Sequence, residues 1–160
     1  MIAWIVVANS AEARIYSTSA DTLTPLKLVM SMSHRQSRLK GAALLSDRPG
    51  RVRKTATAPS AFAMEPHTTP KQVEYERFAN EVAAALLTGF DRQRFESLAL
   101  AAPAHFLGLL TARLDPQVGK CVVARLHKDL VYMKPRELSP HLQPVRVALQ
   151  AERRRRAAWK

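Results

Sequence analysis

Three strand-like segments precede every helix signal in this chain, and that order limits the folds open to it. Residues 2–8 form an apolar run, residues 13–18 follow across a tight connection, and residues 26–33 alternate apolar and polar side chains. Helix and strand signals then alternate over the second half. With 160 residues, enough for one core, we predict an α/β fold: a single domain with a mixed β-sheet flanked by helices.

The clearest helix signal begins at Thr69. Thr69 is a typical N-cap, Pro70 suits the first helical position, Gln72 completes a capping box, and Gly89 is expected just past the end. Four apolar residues at helical spacing are expected to face the sheet: Val73, Phe78, Val82 and Leu86. The polar face of the helix is expected to lie in water and consists of Glu74, Arg77 and Glu81. Arg77 and Glu81 are expected to form an ion pair.

The rest of the chain supplies two more strands and two more helices. Residues 97–101 predict a strand buried on both faces, and residues 121–126 predict the last strand. Pro103 opens a helix in which Gly108 is expected to allow close packing, with an apolar face of Phe106, Leu107, Leu110 and Leu114. A terminal helix starts at Pro135, with interruptions at Pro140 and Pro144. We therefore expect one domain over 1–142 with a long basic loop at 34–69, and a basic helical tail over 143–160.

The charge of the chain concerns its partners rather than its fold. Lys and Arg number 25 against 13 acidic residues, a formal net charge of +12. The last ten residues hold only five of these basic side chains, so the body is basic as well. Nucleic acid, an anionic membrane or an acidic protein would each match such a charge.

Other features narrow the class of protein. The single cysteine, Cys121, excludes an intrachain disulfide and a cysteine-rich zinc site, and its apolar neighbours predict a buried, inert thiol. The start of the chain lacks the features of a secretory signal, and no stretch is long and apolar enough for a membrane span, so we expect a cytoplasmic protein. The sequence leaves the oligomeric state open.

Residues 46–51, with the sequence SDRPGR, suit a shaped anion-binding turn. Pro49 restricts one backbone angle, Gly50 permits a positive one, and Asp47 is able to bond backbone donors. Such a turn would direct Arg48 and Arg51 at a planar acceptor such as phosphate or carboxylate. The alternative is a solvated surface loop.

Four segments together resemble one bacterial family. They are SDRPGR at 46–51, FANE at 78–81, LAAPAHFLGLL at 100–110 and KDL at 128–130. In this order and spacing they resemble the host attachment proteins, over residues 2–142. That family is similar to the middle domain of archaeal and eukaryotic peptide-chain release factors and of Pelota, which implies an RNase H-like topology and contact with the ribosome. The chain has no adjacent glycines and thus lacks the release factors' Gly-Gly-Gln loop, so the resemblance implies no hydrolase activity.

These observations define two sets of candidate site residues. The anion- or RNA-binding set is Arg35, Arg38, Lys40, Arg48, Arg51, Arg53, Lys54, Arg153, Arg154, Arg155 and Arg156. The set with a structural role in the motifs is Ser46, Asp47, Pro49, Gly50, Lys128 and Asp129, although the last two are open to a functional role at a strand end.

Catalytic signals are weak. Four residues have side chains suited to acid–base chemistry, but no nucleophile is recognisable beside them: His34, Glu65, His67 and His105. We expect these residues to lie at the surface. The chain has no phosphate-binding glycine loop, no nucleophile elbow and no zinc-protease motif, and we expect no enzyme activity, no cofactor and no metal. Two hypotheses remain: a non-catalytic RNA- or ribosome-binding module, or an interaction factor that promotes attachment to host cells without binding nucleic acid. An acidic protein partner is compatible with either.

Overall fold

The structure is a computed structural model, and it describes residues 1–38 and 69–160. Its five strands are β1 (Ile2–Ala8), β2 (Glu12–Ser19), β3 (Lys27–Ser33), β4 (Ser97–Ala101) and β5 (Val122–Leu126). Its α-helices are α1 (Pro70–Asp91), α2 (Ala104–Arg113), α3 (Pro116–Lys120), α4 (Pro135–His141) and α5 (Gln143–Ala158), and a 3₁₀ turn covers Arg35–Arg38. None of the described helices is both long enough and apolar enough to cross a membrane.

The strands form one mixed sheet in the order β3-β2-β1-β4-β5. β1 pairs antiparallel with β2 and parallel with β4, β2 pairs antiparallel with β3, and β5 continues parallel from β4. Only β2 therefore runs against the others, the RNase H-like arrangement that the resemblance implies. The predicted fold class, a mixed sheet flanked by helices, is confirmed.

The core lies on both faces of the sheet. Along β1, Trp4 and Val6 face α1 and α2, whereas Ile5 and Val7 face α4 and α5, because successive side chains of a strand point to opposite faces. All five residues of β4 are buried, as the sequence predicts for a strand covered on both sides. The result is a three-layer sandwich of helices, sheet and helices.

Helix α1 begins as predicted and ends differently. The Thr69 side chain accepts a hydrogen bond from the Gln72 backbone N–H at 3.1 Å, which confirms the N-cap. The helix continues to Asp91, so Gly89 lies inside the last turn rather than past it. A Cβ at Gly89 would clash with the Trp4 ring, whereas a Cβ at Gly108 would meet no atom within 4 Å. The prediction of a close approach at Gly108 is therefore wrong. The close approach is at Gly89, where α1 packs against the Trp4 ring of the sheet.

Residues 143–160, predicted as a basic helical tail, are partly packed into the domain. The chain breaks between α4 and α5 at Leu142, where Pro140 lies inside α4 and Pro144 occupies the first turn of α5. On α5, Val145 and Leu149 are buried among residues of the sheet. The buried face of its first half is thus part of the core, since these apolar side chains cover β5, while Arg146 and the arginines from Arg153 onward are exposed.

Candidate functional site

Four strands end at the same edge of the sheet, and a cleft opens there. β1, β3, β4 and β5 all run in one direction, so their carboxyl ends share this edge, where ligands bind in many open α/β sheets. The cleft has a volume of about 450 Å³. We call it the carboxyl-edge cleft, and its chemically informative lining residues are Asn9, Ser37, Arg38, Tyr75, His105, Asp129 and Tyr132.

Asn9 and Asp129 join two segments of the chain, 120 residues apart, at this edge. The Asn9 side-chain oxygen accepts hydrogen bonds from the backbone N–H groups of Ala11 and Glu12, at 2.9 and 2.8 Å, and closes the turn from β1 to β2. Its Nδ2 donates to Oδ2 of Asp129 at 3.3 Å, and Oδ1 of Asp129 accepts from the backbone N–H of Val131 at 3.3 Å. Asp129 therefore has a structural contact here, while the neighbouring Lys128 is exposed.

The opposite wall of the cleft comes from α1 and α2. His105 Nε2 lies 2.9 Å from Oε1 of Gln72, and the imidazole meets the Tyr75 ring edge-on at a centroid distance of 6.3 Å. Gln72 thus uses its side chain to join two helices instead of completing the predicted capping box. His105 is exposed, as the sequence predicts.

His34 is buried, and the prediction of a surface position for it is wrong. Its Nε2 lies 2.9 Å from Oε2 of Glu74, its Nδ1 lies 3.5 Å from Oε1 of Glu81, and its ring stacks on Phe78 at 5.6 Å. Glu74 is only 4% exposed, so its expected position in water is also wrong. Arg77 pairs with Glu74 at 2.8 Å rather than with Glu81. A paired histidine lowers the cost of burying this carboxylate.

The His34 pair positions one wall of the cleft. The backbone N–H of His34 donates to the Ala11 carbonyl at 2.8 Å, and the 3₁₀ turn follows directly. That turn carries Ser37, which is buried, and Arg38, whose guanidinium pairs with the Glu12 carboxylate. Arg35, on the same turn, is exposed. Of the predicted anion-binding residues that the structure describes, Arg38 is the one that lines the cleft.

The other predicted basic residues divide into two groups. One group, with the SDRPGR motif, lies outside the described residues: Lys40, Arg48, Arg51, Arg53 and Lys54, together with Ser46, Asp47, Pro49 and Gly50. Glu65 and His67 lie outside them too. The second group is on α5 at the amino edge of the sheet, opposite the cleft.

Contacts of the α5 arginines establish that location. Arg153 pairs with Asp21, just after β2, and Arg156 donates to the carbonyl oxygen of Glu96, just before β4, at 3.0 Å. Arg155 and Arg156 also pair with Glu152 within the helix. The structure therefore separates the α5 arginines from Arg38, which the sequence places in one set.

Cys121 lies outside its predicted strand and caps the end of α3. It is partly buried, and it lines a second cavity of about 650 Å³ beside Phe90 and Phe95. Burial raises the pKa of the Cys121 thiol, and the nearby positive charge of Arg156 partly opposes this by lowering it. Such a thiol is mostly protonated at neutral pH and a poor nucleophile.

The cleft brings together hydrogen-bonding side chains and aromatic rings. Within residues 1–38 and 69–160, no three His, Cys, Asp or Glu side chains converge so as to hold a metal ion. Three cleft residues were not predicted from the sequence as site residues: Asn9, Ser37 and Tyr132. One sequence signal could have identified them, because each is a polar residue that follows a strand whose carboxyl end lies at this edge.

The fold and this site define an α/β domain with a mixed sheet and a polar cleft at the carboxyl edge of its strands. The chain belongs to the family described as "Protein required for attachment to host cells", whose model matches residues 4–142, and the predicted family is confirmed.

Two solved structures are similar to the chain at low identity. One is described as an archaeal protein (13% identity, TM-score 0.46), and the match covers 99% of this chain and 38% of that one. The other is an archaeal translation termination factor (9% identity, TM-score 0.46), with 99% and 39% covered. The chain spans less than two fifths of the length of either structure. No curated protein matched.

Proposed function

We propose that the protein is a non-catalytic module that binds RNA or the ribosome. The observation that carries this proposal is that most acidic side chains have a partner whereas most basic ones form no ion pair, among the described residues of a chain of net charge +12. In the described part of the chain, acidic side chains are mostly engaged in ion pairs or helix caps, as for Glu12, Glu74 and Asp115. Most basic side chains in residues 1–38 and 69–160 form no ion pair with another described residue. The surplus positive charge is therefore available to phosphates.

Helix α5 supports the proposal locally. Its first half is held in the core by Leu149, while its second half presents Arg153, Arg154 and Arg155 to solvent. The side chains of Arg153 and Arg155 are 61% and 74% exposed, although each has a carboxylate partner. Exposed arginines on a rigidly held helix suit the phosphate backbone, because each guanidinium offers several donors in a fixed plane.

The first experiment is sedimentation of a cell lysate through sucrose gradients at low and high salt. We expect the protein with the ribosomal fractions at low salt and at the top of the gradient at high salt, since phosphate contacts release condensed counterions. For about five contacts to single-stranded RNA, affinity should fall on the order of 100-fold between about 50 and 200 mM salt. Absence from the ribosomal fractions, and from all RNA, at low salt would overturn the proposal.

A second experiment tests the SDRPGR motif, which lies outside the described residues. Replacing Arg48 and Arg51 together with Ala is expected to weaken the association without changing the melting temperature, because the sequence predicts an anion-binding role for both side chains rather than a role in the core. The matched control is the double replacement by Lys, which keeps the charge but loses the planar fork, and we expect only partial recovery. Full recovery would mean that charge alone suffices.

The competing function is an interaction factor for attachment to host cells that binds no nucleic acid. The description of the family favours it. Cell fractionation separates the two functions: association with ribosomes supports the first, and surface exposure without RNA supports the second. An attachment phenotype that depends on Arg48 and Arg51, in a protein that sediments with ribosomes, would connect them through translation.

A further inference from the structure

Ser37 is a buried polar group without a hydrogen-bond partner, and it lines the carboxyl-edge cleft. The residue is 4% exposed, and its Oγ is the only buried side-chain oxygen or nitrogen among the described residues that lacks a partner. Leaving a buried hydroxyl unpaired costs free energy, so such groups are rare in folded proteins. Its Oγ is inaccessible in this conformation, so rotation of the side chain toward the cleft would let a polar atom of a ligand satisfy it.

Three rings surround the same space. Tyr132 is 68% exposed, on the loop between β5 and α4, and Tyr75 with His105 forms the opposite wall. Neither tyrosine hydroxyl is hydrogen-bonded to another residue in the described part of the chain. An exposed ring beside a polar cavity suits a flat aromatic ligand, which stacks on the ring and keeps its edges available for hydrogen bonds.

Polar groups in the cleft still have hydrogen-bond donors and acceptors available to a ligand. Asn9 donates one of its two amide N–H groups to Asp129, and each carboxylate oxygen of Asp129 has a lone pair beyond the bond that it accepts. Arg38, whose side chain is 52% exposed, has further N–H donors beyond its pair with Glu12. The cleft thus offers donors and acceptors side by side, at a volume typical of small-molecule sites.

We propose that the carboxyl-edge cleft binds one nucleotide unit of single-stranded RNA, with its base stacked on Tyr132 and hydrogen-bonded to Ser37, Asn9 or Asp129. The carboxylate of Asp129 repels a bare anion, so the base occupies the cleft and the phosphate lies toward Arg38. The inference rests on the proposed RNA-binding function and locates a base-binding site for it. A free nucleoside monophosphate carries the same chemistry and is the other source of the ligand.

The test measures fluorescence anisotropy of a labelled single-stranded RNA octamer with the full chain and two variants. Tyr132→Ala is expected to weaken binding about 5- to 100-fold, the range for loss of one base–aromatic stack. The matched control, Tyr132→Phe, keeps the ring and is expected to bind within about twofold of the parent. If Tyr132→Phe binds as weakly as Tyr132→Ala, stacking is not the interaction and the inference fails.

Ser37→Ala gives an independent readout. Removing a hydroxyl that lacks a partner is expected to leave the melting temperature of the free protein unchanged or slightly higher, yet to weaken octamer binding about 2- to 10-fold. A clear loss of thermal stability without loss of affinity would show that the hydroxyl is satisfied within the protein, and would overturn this part of the site.

The outcomes separate this inference from the proposed function. Octamer binding that is unchanged in both Tyr132→Ala and Ser37→Ala overturns the cleft and leaves RNA binding intact, whereas no binding by the parent protein to any RNA overturns both. A competition arm uses adenosine and guanosine monophosphates. Displacement of the octamer by micromolar mononucleotide, lost in Tyr132→Ala, identifies a free nucleotide as the ligand; displacement only by RNA identifies the polymer.

Discussion

The imidazole Nε2 of His34 lies 2.9 Å from the carboxylate oxygen Oε2 of Glu74, and both side chains are buried between the 3₁₀ turn and α1. The pair joins His34, the residue after β3, to a helix that starts 36 residues later, at Pro70. Because the turn carries Ser37 and Arg38, this contact helps to fix where two residues of the carboxyl-edge cleft lie.

Glu74→Ala is expected to lower the free energy of unfolding by about 1–3 kcal/mol, because it leaves a buried ring nitrogen of His34 without its closest hydrogen-bond partner. The measurement is chemical denaturation followed by circular dichroism. The matched control is Glu81→Ala, which removes a carboxylate that is half exposed and 3.5 Å from the other ring nitrogen, and should cost less than about 1 kcal/mol. Equal losses in the two variants would contradict the dominance of Glu74.

Gly89→Ala is expected to destabilise the protein by about 1–3 kcal/mol, since the new methyl group would overlap the Trp4 ring. Gly108→Ala is the control on a neighbouring helix. No atom lies within 4 Å of a Cβ there, and the better helix propensity of Ala should stabilise by about 0.5–1 kcal/mol. Thermal unfolding of both variants should therefore shift in opposite directions, and shifts of the same sign would refute the packing described at Gly89.

The two halves of α5 are expected to respond differently to truncation of a side chain. Leu149→Ala, in the core, should cost about 2–5 kcal/mol of stability, while Arg154→Ala, on the exposed face, should change it by less than about 0.5 kcal/mol. Removing residues 153–160 should likewise leave the domain folded but lower its affinity for RNA. A drop in melting temperature as large as that of Leu149→Ala would show that the arginines support the fold.

Alkylation of Cys121 by iodoacetamide is expected to be slow at neutral pH and to accelerate as the pH rises, because burial raises the thiol pKa and only the thiolate reacts. Arg156→Gln removes the charge that lowers this pKa, so its rate profile should shift to still higher pH. Mass spectrometry reports the rate cleanly, since Cys121 is the sole cysteine. A shift to lower pH would mean that Arg156 does not act on the thiol through its charge.

The sequence by itself determined the features that depend on neighbours along the chain. The bounds predicted for β1, 2–8, agree with the structure, because an unbroken apolar run before a turn residue is a local signal. The N-cap at Thr69 and the doubly buried strand at 97–101 are confirmed for the same reason. The family was evident from short motifs in a set order, and the fold class followed from the succession of strands and helices.

Only the tertiary structure decided which polar residues are buried and which surfaces meet. The sequence predicts that Glu74 lies in water because it is a charged residue on a helix, yet His34, 40 residues away, lowers the cost of its burial. The sequence predicts the close contact at Gly108, but Trp4 lies against Gly89 instead. The carboxyl-edge cleft depends on a hydrogen bond between Asn9 and Asp129, 120 residues apart. These contacts are set by how the chain packs, since their energies come from partners that no local pattern identifies.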